Sequence, residues 1–431
     1  MPPWERENEA IREQSEALFL ALSGLGRRAS FPPDIPFQAA EARGKQFNAT
    51  IGQITDGAGG ILALPTIEKR LDLDPSARNK ALLYSPVQGH QEVREGWRRW
   101  QRREAPDSVS SLPLVTVGLT HGLSLVADLF GGPGRTVAVP SPFWGNYRQT
   151  FAIRTGATIV SAPTYRDGAY NPTAIAEALE SLPPGEPAVA ILNLPSNPGG
   201  YSLTRQERVR VRESLLEIAT ARPLVLVCDD AYAGLVYESD VPATSMFWEL
   251  SGLHPNLVPV KIDGATKEFA IFGGRVGFLT FPFAPESPAA EALESKVKCL
   301  TRATVGSPVS VSQMLLLSAL ENDRIQTEIE RIRQELGRRY RTLRGLLDAV
   351  DRELLRPLPF NSGCFALLEL APGVGVSAET VRRHLLDVLD TGLIAIKPNY
   401  LRIAFCSVAE EALAELVERL QSGVAELASG H

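Results

Sequence analysis

Seven short apolar runs between residues 114 and 281 constrain the fold of this chain more than any other feature. Most are rich in β-branched residues, and helix-like stretches separate them, most clearly at 173–182 and 204–220. The seven candidate strands are Leu114–Val117, Thr136–Val139, Ala157–Ala162, Ala188–Leu192, Leu224–Cys228, Val258–Ile262 and Val276–Phe281. Near-continuous apolar strands between helices are typical of a mainly parallel sheet covered on both faces. The pattern therefore predicts an α/β protein whose large domain has three layers, α/β/α, around a seven-stranded sheet.

The pattern changes after about residue 285, where long charged amphipathic helices begin. These helices extend over about 288–350, strand-like segments follow at 364–370, 393–397 and 400–405, and a last helix covers about 409–427. Helices and strands that are segregated along the chain indicate an α+β arrangement. We therefore expect a second, smaller α+β domain.

The first 50 residues are expected to form an N-terminal helix and an arm. Apolar side chains recur at helical spacing over 9–22, and prolines at positions 32, 33 and 36 mark a loop that runs to about residue 48. We expect residues 1–50 to pack with the small domain, residues 51–290 to form the large cofactor-binding domain, and residues 291–431 to form the small C-terminal domain.

Composition excludes several classes of protein. A net charge of −6 without a sustained basic run disfavours nucleic acid as a partner, and no apolar run approaches the ~18 residues needed to cross a bilayer. The start of the chain is too charged for a signal peptide. Four scattered cysteines without a CxxC pair fit a reduced, cytoplasmic compartment and predict neither a metal site nor a disulfide framework.

Lys267 and Arg275 are the first candidates for chemistry. Lys267 lies just after the apolar strand that ends at Ile262, and Arg275 follows two glycines. A lysine forms a Schiff base with an aldehyde only when part of it is uncharged, which burial favours. An arginine beside glycines suits a phosphate, and the aldehyde that carries a phosphate is pyridoxal 5′-phosphate (PLP). A surface lysine and a structural arginine remain the alternative at this point.

Other polar residues follow the predicted strands, where ligands of α/β sheets bind. Gly118-Leu119-Thr120 lies between a strand and a helix, where free N–H groups favour phosphate; an ordinary turn, with Thr120 as a helix cap, is the alternative. Asn197 lies in a loop rich in proline and glycine, which is also a common turn composition. Asp229 ends a buried strand and could pair with a protonated pyridine nitrogen, although a helix-capping role fits it and Asp230 equally well.

Taken together, Ser196-Asn197-Pro198, Asp229-x-Ala231-Tyr232 and the Lys267 block resemble the fold type I PLP enzymes, specifically the class I/II aminotransferases of the aspartate aminotransferase kind. The resemblance covers about Asn48 to Arg402. It implies PLP as the cofactor. It also implies transfer of an amino group from an acidic or aromatic L-amino acid to a 2-oxo acid, with 2-oxoglutarate as the acceptor.

The resemblance also implies roles for single residues around the cofactor. Lys267 would be the Schiff-base lysine and the general base, while Asp229 would hold the pyridine nitrogen protonated. Tyr232 and Asn197 would hydrogen-bond the ring's phenolate oxygen. The phosphate would be held by Arg275 and the turn Gly118, Leu119 and Thr120. An aromatic residue would stack on the ring, with Trp144 preferred and Phe143 as the alternative.

The substrate and the partner subunit are implied in the same way. Arg402 would grip the α-carboxylate, with the N–H of Gly52 and the side chain of Asn197 beside it. Tyr84 matches a tyrosine that reaches the phosphate of the neighbouring subunit, so a homodimer with shared active sites is expected. Arg302 matches the arginine that reads a distal carboxylate across the dimer, although the residues around it differ from the family pattern.

One position of the lysine block departs from the family. Gly264 stands where a serine often contacts the phosphate, so that hydrogen bond is missing and Thr266 or water is a candidate replacement. The main alternative activity is β- or γ-elimination by the same fold, and a remote one is an aminotransferase-like regulator. The second is disfavoured because the residues before Asn48 are too few and too acidic for a DNA-binding module.

Overall fold

The structure is a computed structural model that describes residues 3–32, 34–57 and 60–429. The N-terminal segment contains four short helices: α1 (Pro3–Gln14), α2 (Glu16–Ala21), α3 (Gly24–Arg28) and α4 (Ile35–Glu41). The single helix expected over 9–22 is divided because Ser15 is extended and its hydroxyl accepts the N–H of Leu18, which starts α2. The expected loop contains α3 and α4, with Pro36 in the first turn of α4, where a proline costs no hydrogen bond. Pro33 lies outside the described residues.

A seven-stranded sheet forms the centre of the chain, as predicted. The strands up to residue 280 are β1 (Phe47–Asn48), β2 (Leu114–Val117), β3 (Thr136–Ser141), β4 (Thr158–Pro163), β5 (Tyr165–Arg166), β6 (Ala169–Tyr170), β7 (Ala188–Asn193), β8 (Leu224–Asp229), β9 (Leu257–Gly264) and β10 (Val276–Thr280). The sheet order is β2-β10-β9-β8-β7-β3-β4, in which only β10 is antiparallel to its neighbours. The seven predicted strands are therefore confirmed as one mainly parallel sheet.

Helices cover both faces of this sheet. The helices of this part are α5 (Pro65–Lys69), α6 (Pro75–Leu82), α7 (Gln91–Arg102), α8 (Gly118–Phe130), α9 (Ala174–Leu179), α10 (Arg205–Ala221), α11 (Met246–Leu250) and α12 (Ala265–Glu268). Alternate residues of one strand enter two different cores: Val189 and Ile191 of β7 pack with α8, whereas Ala190 and Leu192 pack with α10. This period of two is what a strand buried on both faces requires, and it confirms the three-layer α/β/α arrangement.

The C-terminal part combines long helices with a second sheet. Its elements are α13 (Pro288–Thr304), α14 (Ser310–Leu320), α15 (Ile325–Asp348), β11 (Leu355–Pro357), β12 (Phe365–Leu370), α16 (Ala378–Asp387), β13 (Thr391–Gly392), β14 (Ile394–Ile396), β15 (Tyr400–Ala404) and α17 (Leu413–Ser429). The antiparallel sheet has the order β11-β12-β15-β14. The smaller α+β unit is thus present in the fold.

The segment around β1 connects the N-terminal helices to this second sheet region. Phe47 and Asn48 pair in parallel with Thr391 and Gly392 of β13, and Gln38 of α4 exchanges hydrogen bonds with the backbone of Ala395. The domain limits at residues 50 and 290 stay predictions. Among the helices of the described residues, none is both long and apolar enough to span a bilayer.

Candidate active site

The polar residues singled out in the sequence meet at the carboxyl ends of three neighbouring strands. Asn193 ends β7 and is paired in register with Asp229, which ends β8. Lys267 lies on α12, which begins directly after β9. Because β7, β8 and β9 are parallel neighbours, their ends open at the same edge of the sheet.

Asp229 is buried and held by two donors. It is 2 % exposed, its Oδ2 accepts a hydrogen bond from the Tyr147 hydroxyl at 2.5 Å, and its Oδ1 accepts the N–H of Ala231 at 3.2 Å. Burial raises the pKa of Asp229 to about 6, and the Tyr147 hydrogen bond opposes that rise. Asp230, the alternative in the sequence, forms a buried ion pair with Lys261 and so has another partner.

Lys267 has a pKa below the usual value, which favours the uncharged amine. The chief cause is burial of the side chain, and the nearby charge of Arg275 lowers the pKa further, whereas Asp229 opposes it. The Lys267 Nζ lies 5.4 Å from the centre of the Tyr232 ring. The amine, the acid and the phenol expected around one ring are therefore grouped in space.

Gly118 and Arg275 form a narrow cradle at the start of α8. Gly118 has φ +72°, and a Cβ added there would lie 2.4 Å from Nη2 of Arg275. No side chain among the described residues caps this helix, so the N–H groups of its first turn are free to meet an anion. Thr120, suggested as a cap by the sequence, is instead the third residue of α8.

The close packing at Gly264 explains why the serine often found at this position of the family is absent, and Thr266 offers another hydroxyl. A Cβ added at Gly264 would lie 2.6 Å from the carbonyl oxygen of Val276, so a serine does not fit without a backbone shift. Thr266 is buried, and its Oγ1 has no hydrogen-bond partner among the described residues. This orphaned hydroxyl, one position before Lys267, is a donor that lacks its acceptor.

Arg402 of β15 reaches this group of residues through Asn197. It is 1 % exposed, its Nη1 donates to Asn197 Oδ1 at 2.8 Å, and its Nη2 donates to the Thr50 carbonyl at 2.6 Å. Its Nε has no partner among the described residues, and burial lowers the pKa of Arg402 to about 10. Gly52 lies nearby, because a Cβ added there would be 3.5 Å from the Tyr232 hydroxyl.

Comparison with known proteins decides the family. The sequence model described as aminotransferase class I and II matches residues 45–420, which is most of the chain. The chain belongs to the class I and II aminotransferases. It is accordingly a PLP-dependent transaminase of fold type I.

Individual relatives are distant but cover nearly the whole aminotransferase. The chain is 23 % identical to the aromatic-amino-acid aminotransferase 2 of Thermococcus litoralis, over 86 % of this chain and 94 % of the relative. It is 28 % identical to the 2-aminoadipate transaminase of Thermus thermophilus, over 84 % and 88 % of the two chains. The solved α-aminoadipate aminotransferase of Thermus thermophilus, in complex with N-(5′-phosphopyridoxyl)-L-leucine, shares the fold with a TM-score of 0.76 at 22 % identity, covering 96 % and 100 %.

The residues of this aminotransferase fit PLP. A ring placed between Lys267 and Asp229 would meet an amine on one side and a buried carboxyl on the other. A phosphate would find the cradle of Gly118 and Arg275, the free N–H groups of Leu119 and Thr120, and the orphaned hydroxyl of Thr266. The donor set is therefore the one that the cofactor's ring nitrogen, aldehyde and phosphate require.

Two predicted site residues of the aminotransferase do not join this group within the chain. Tyr84 is 96 % exposed, and Arg302 lies exposed on the last turn of α13. Neither side chain has a hydrogen bond or ion pair with any part of the chain that the structure describes. Both were assigned by resemblance to contacts between subunits.

The aromatic segment of the aminotransferase contains a residue that the sequence reasoning missed. Trp144 and Phe143 both pack near Tyr147, with ring centres 5.6 and 6.5 Å away, so the two candidates for stacking stay open. Tyr147 itself is the residue that reaches Asp229. A buried strand-end carboxylate needs a donor, and this rule could have drawn attention to a tyrosine three positions after Trp144.

Proposed function

We propose that this aminotransferase moves the amino group of an acidic or aromatic L-amino acid to a 2-oxo acid, with 2-oxoglutarate as the acceptor. The observation that supports it most is the position of Arg402, a buried guanidinium with a free Nε beside Asn197 and Gly52. A fork of this kind suits the α-carboxylate of an amino acid. The names of the relatives, one acting on aromatic amino acids and one on 2-aminoadipate, support the two donor classes.

The chain's own residues would divide the work as follows. When bound, the cofactor supplies an electron sink for the electron pair left on the substrate carbon. Lys267 Nζ would take the proton from the substrate Cα, since its lowered pKa favours a free amine. Asp229 would hold the proton of the ring nitrogen, and Tyr232 and Asn197 would donate hydrogen bonds to the ring oxygen. Arg275 and Thr266 would hold the phosphate together with Gly118, Leu119 and Thr120.

Specificity for a distal carboxylate would come from Arg302. Its exposed position on α13 fits a role in the site of a second subunit better than in its own. An aromatic donor would instead use the apolar walls near the cofactor ring, where Trp144 and Phe143 lie. Both donor classes therefore stay within the proposal.

A homodimer is part of the proposal, with Tyr84 reaching the phosphate bound by the partner. Leu82, Leu83 and Tyr84 at the end of α6 are at least 69 % exposed, which is unusual for three consecutive large apolar side chains. A second copy of the chain would cover them. We also propose a cytoplasmic location, which the four free cysteines, three of them buried, support.

A half-reaction screen tests the proposal. Purified holoenzyme is mixed with each L-amino acid in turn, and the visible absorption band of the bound cofactor is followed. Acidic or aromatic donors should bleach the band, and 2-oxoglutarate should restore it. Release of pyruvate from a donor without any added acceptor would instead establish the elimination activity, and no response to acidic or aromatic donors would overturn the assigned substrate class.

A further inference from the structure

A single short hydrogen bond joins the aromatic segment to the carboxyl at the end of β8. The Tyr147 hydroxyl lies 2.5 Å from Asp229 Oδ2, and the two residues are 82 positions apart in the chain. Tyr147 is 1 % exposed and Asp229 2 %, so the hydrogen bond is shielded from water. We propose that Tyr147 is a positioning residue that keeps the Asp229 carboxylate ionised and turned toward the cofactor ring nitrogen. This inference rests on the proposed cofactor site.

The direction of the hydrogen bond is fixed by chemistry. Burial, and next the charge of Asp229, raise the pKa of Tyr147 well above its usual value, so the phenol keeps its proton and donates it. Asp229 is the acceptor. A donated hydrogen bond stabilises the charged form of a carboxyl, and it does so most where water is excluded.

The two oxygens of Asp229 are held from two different directions. Tyr147 contacts Oδ2, and the backbone N–H of Ala231 contacts Oδ1. The second contact is local to the turn after β8, whereas the first comes from the segment after β3. Removal of the phenol would therefore leave Oδ2 without its donor. Burial favours the neutral carboxyl, and this effect would then be opposed less strongly.

The position of Tyr147 is itself fixed. Its N–H donates to the Trp144 carbonyl at 3.0 Å, and its ring meets the Trp144 ring edge-on with 5.6 Å between centres. It directly precedes a π-helical segment, Arg148–Ile153, whose Phe151 is fully buried. A side chain held by its neighbours in this way can orient a carboxylate, since little freedom remains to be lost.

Tyr340 offers a matched control elsewhere in the same chain. It is also fully buried, and its hydroxyl also lies 2.5 Å from a carboxylate oxygen, Oε1 of Glu238. Tyr340 belongs to α15 and packs in the core of the C-terminal part, away from Asp229. Replacing either tyrosine by phenylalanine removes a buried phenol that donates to a carboxylate, although Glu238 is partly exposed and also pairs with Arg344.

The experiment measures cofactor affinity rather than turnover alone. Wild-type, Tyr147→Phe and Tyr340→Phe holoenzymes are equilibrated by ultrafiltration at pH 8 and pH 6, and free PLP is quantified. Tyr147→Phe should bind PLP about tenfold more weakly at pH 6, since a hydrogen bond to a charged group contributes about 1.5–3 kcal/mol. Its deficit should be smaller at pH 8, where Asp229 ionises without help, while Tyr340→Phe should match the wild type at both values.

Two further variants separate positioning from packing. In an Asp229→Asn background, Tyr147→Phe should have no additional pH-dependent effect, because the phenol acts only through the carboxylate. Where Tyr147→Phe does not fold, Tyr147→Leu replaces it; it also lacks the donor, so it should show the same pH-dependent loss of affinity. An affinity of Tyr147→Phe equal to wild type, or a loss of equal size at both pH values, would overturn the positioning role. A wild-type protein that binds no PLP would instead overturn the proposed site.

Discussion

Arg402 and Asn197 are 205 positions apart, yet the guanidinium Nη1 donates a hydrogen bond to the amide Oδ1 over 2.8 Å. Asn197 lies in the loop after β7, and Arg402 lies on β15, so the bond joins the central sheet to the C-terminal sheet. Asn197 is proposed to contact the cofactor ring, and Arg402 is proposed to bind the α-carboxylate of the substrate. We therefore expect this contact to couple the proposed cofactor and substrate sites.

Arg402→Lys should weaken binding of every amino-acid donor. One ammonium cannot contact Thr50, Asn197 and a carboxylate in the planar geometry that the guanidinium gives. We expect KM to rise by about 10- to 100-fold for acidic and aromatic donors alike, because a buried charged contact is lost. The affinity for PLP serves as the control and should change much less, since only the Asn197 contact of the proposed cofactor site is affected. Donor KM values equal to wild type would remove Arg402 from the substrate site.

Lys267→Ala should abolish transamination. The variant lacks the amine that would remove the substrate proton, and no other lysine among the described site residues replaces it. Steady-state assays with a responsive donor and 2-oxoglutarate are the measurement. Lys296→Ala, at an exposed position of α13, is the matched control and should turn over normally. Turnover by Lys267→Ala at the wild-type rate would contradict the assigned mechanism.

Arg302→Ala should discriminate between donor classes. If the guanidinium binds a distal carboxylate, kcat/KM for aspartate or glutamate should fall by about tenfold or more, while values for aromatic donors should change little. Arg331→Ala, another exposed arginine, controls for the loss of one positive charge. Equal losses for all donors would show that Arg302 does not read the distal group.

In the cofactor-free protein, burial of the Asp229 carboxyl should make the free energy of unfolding depend on pH. Burial raises the pKa of this group from its usual value of 3.8 to about 6, so the folded chain keeps a proton between about pH 4 and pH 6 that the unfolded chain releases. Its contribution to stability therefore falls as pH rises through that window and is constant above it. Asp229→Asn carries no such proton.

Urea unfolding at several pH values measures this effect. The free energy of unfolding of Asp229→Asn relative to wild type should increase by about 2.5 kcal/mol from pH 4 to pH 7, at 1.36 kcal/mol per pKa unit. Asp323→Asn, an exposed position, should show no such change. A difference between Asp229→Asn and wild type that is constant over this range would contradict the raised pKa.

Gly264→Ser should destabilise the enzyme although it restores the residue often found in the family. The added Cβ would lie 2.6 Å from the Val276 carbonyl and 2.8 Å from Gly277 Cα, so the two strands must separate. Overpacking of this kind costs about 1–3 kcal/mol. Denaturant midpoints report it, with Gly273→Ser as the control, because an added Cβ there meets no atom within 4 Å. A midpoint equal to wild type would mean that the backbone adapts freely.

The seven central strands could be predicted because burial on both faces leaves them almost no polar residues. The same reasoning found Lys267, Asp229 and Arg275, since an ionisable residue at the end of an apolar run stands out in the sequence. The fold and the family were confirmed for this reason. The short N-terminal helices were not predicted, because α3 has five residues and no buried side chain that would give a period.

Contacts between distant segments could not be read from the sequence. Tyr147 is ordinary in its local context, and only the packing of the segment after β3 against the end of β8 brings its hydroxyl to Asp229. In the same way, only the fold reveals the buried ion pair between Asp230 and Lys261, which favours Asp229 as the residue proposed to face the cofactor. The roles proposed for Tyr84 and Arg302 require a second copy of the chain, and the contacts between two copies cannot be read from a sequence pattern.

The Nε of Arg402, which has no partner among residues 3–32, 34–57 and 60–429, should link affinity for substrate to the stability of the empty enzyme. Folding already removes water from this guanidinium. Nη1 and Nη2 donate hydrogen bonds to Asn197 and Thr50, whereas Nε has no acceptor among the described residues. An incoming carboxylate therefore recovers solvation that the resting protein lacks. Simple carboxylic acids that are not substrates at all should thus protect the fold against heat, in proportion to how well they replace the missing water.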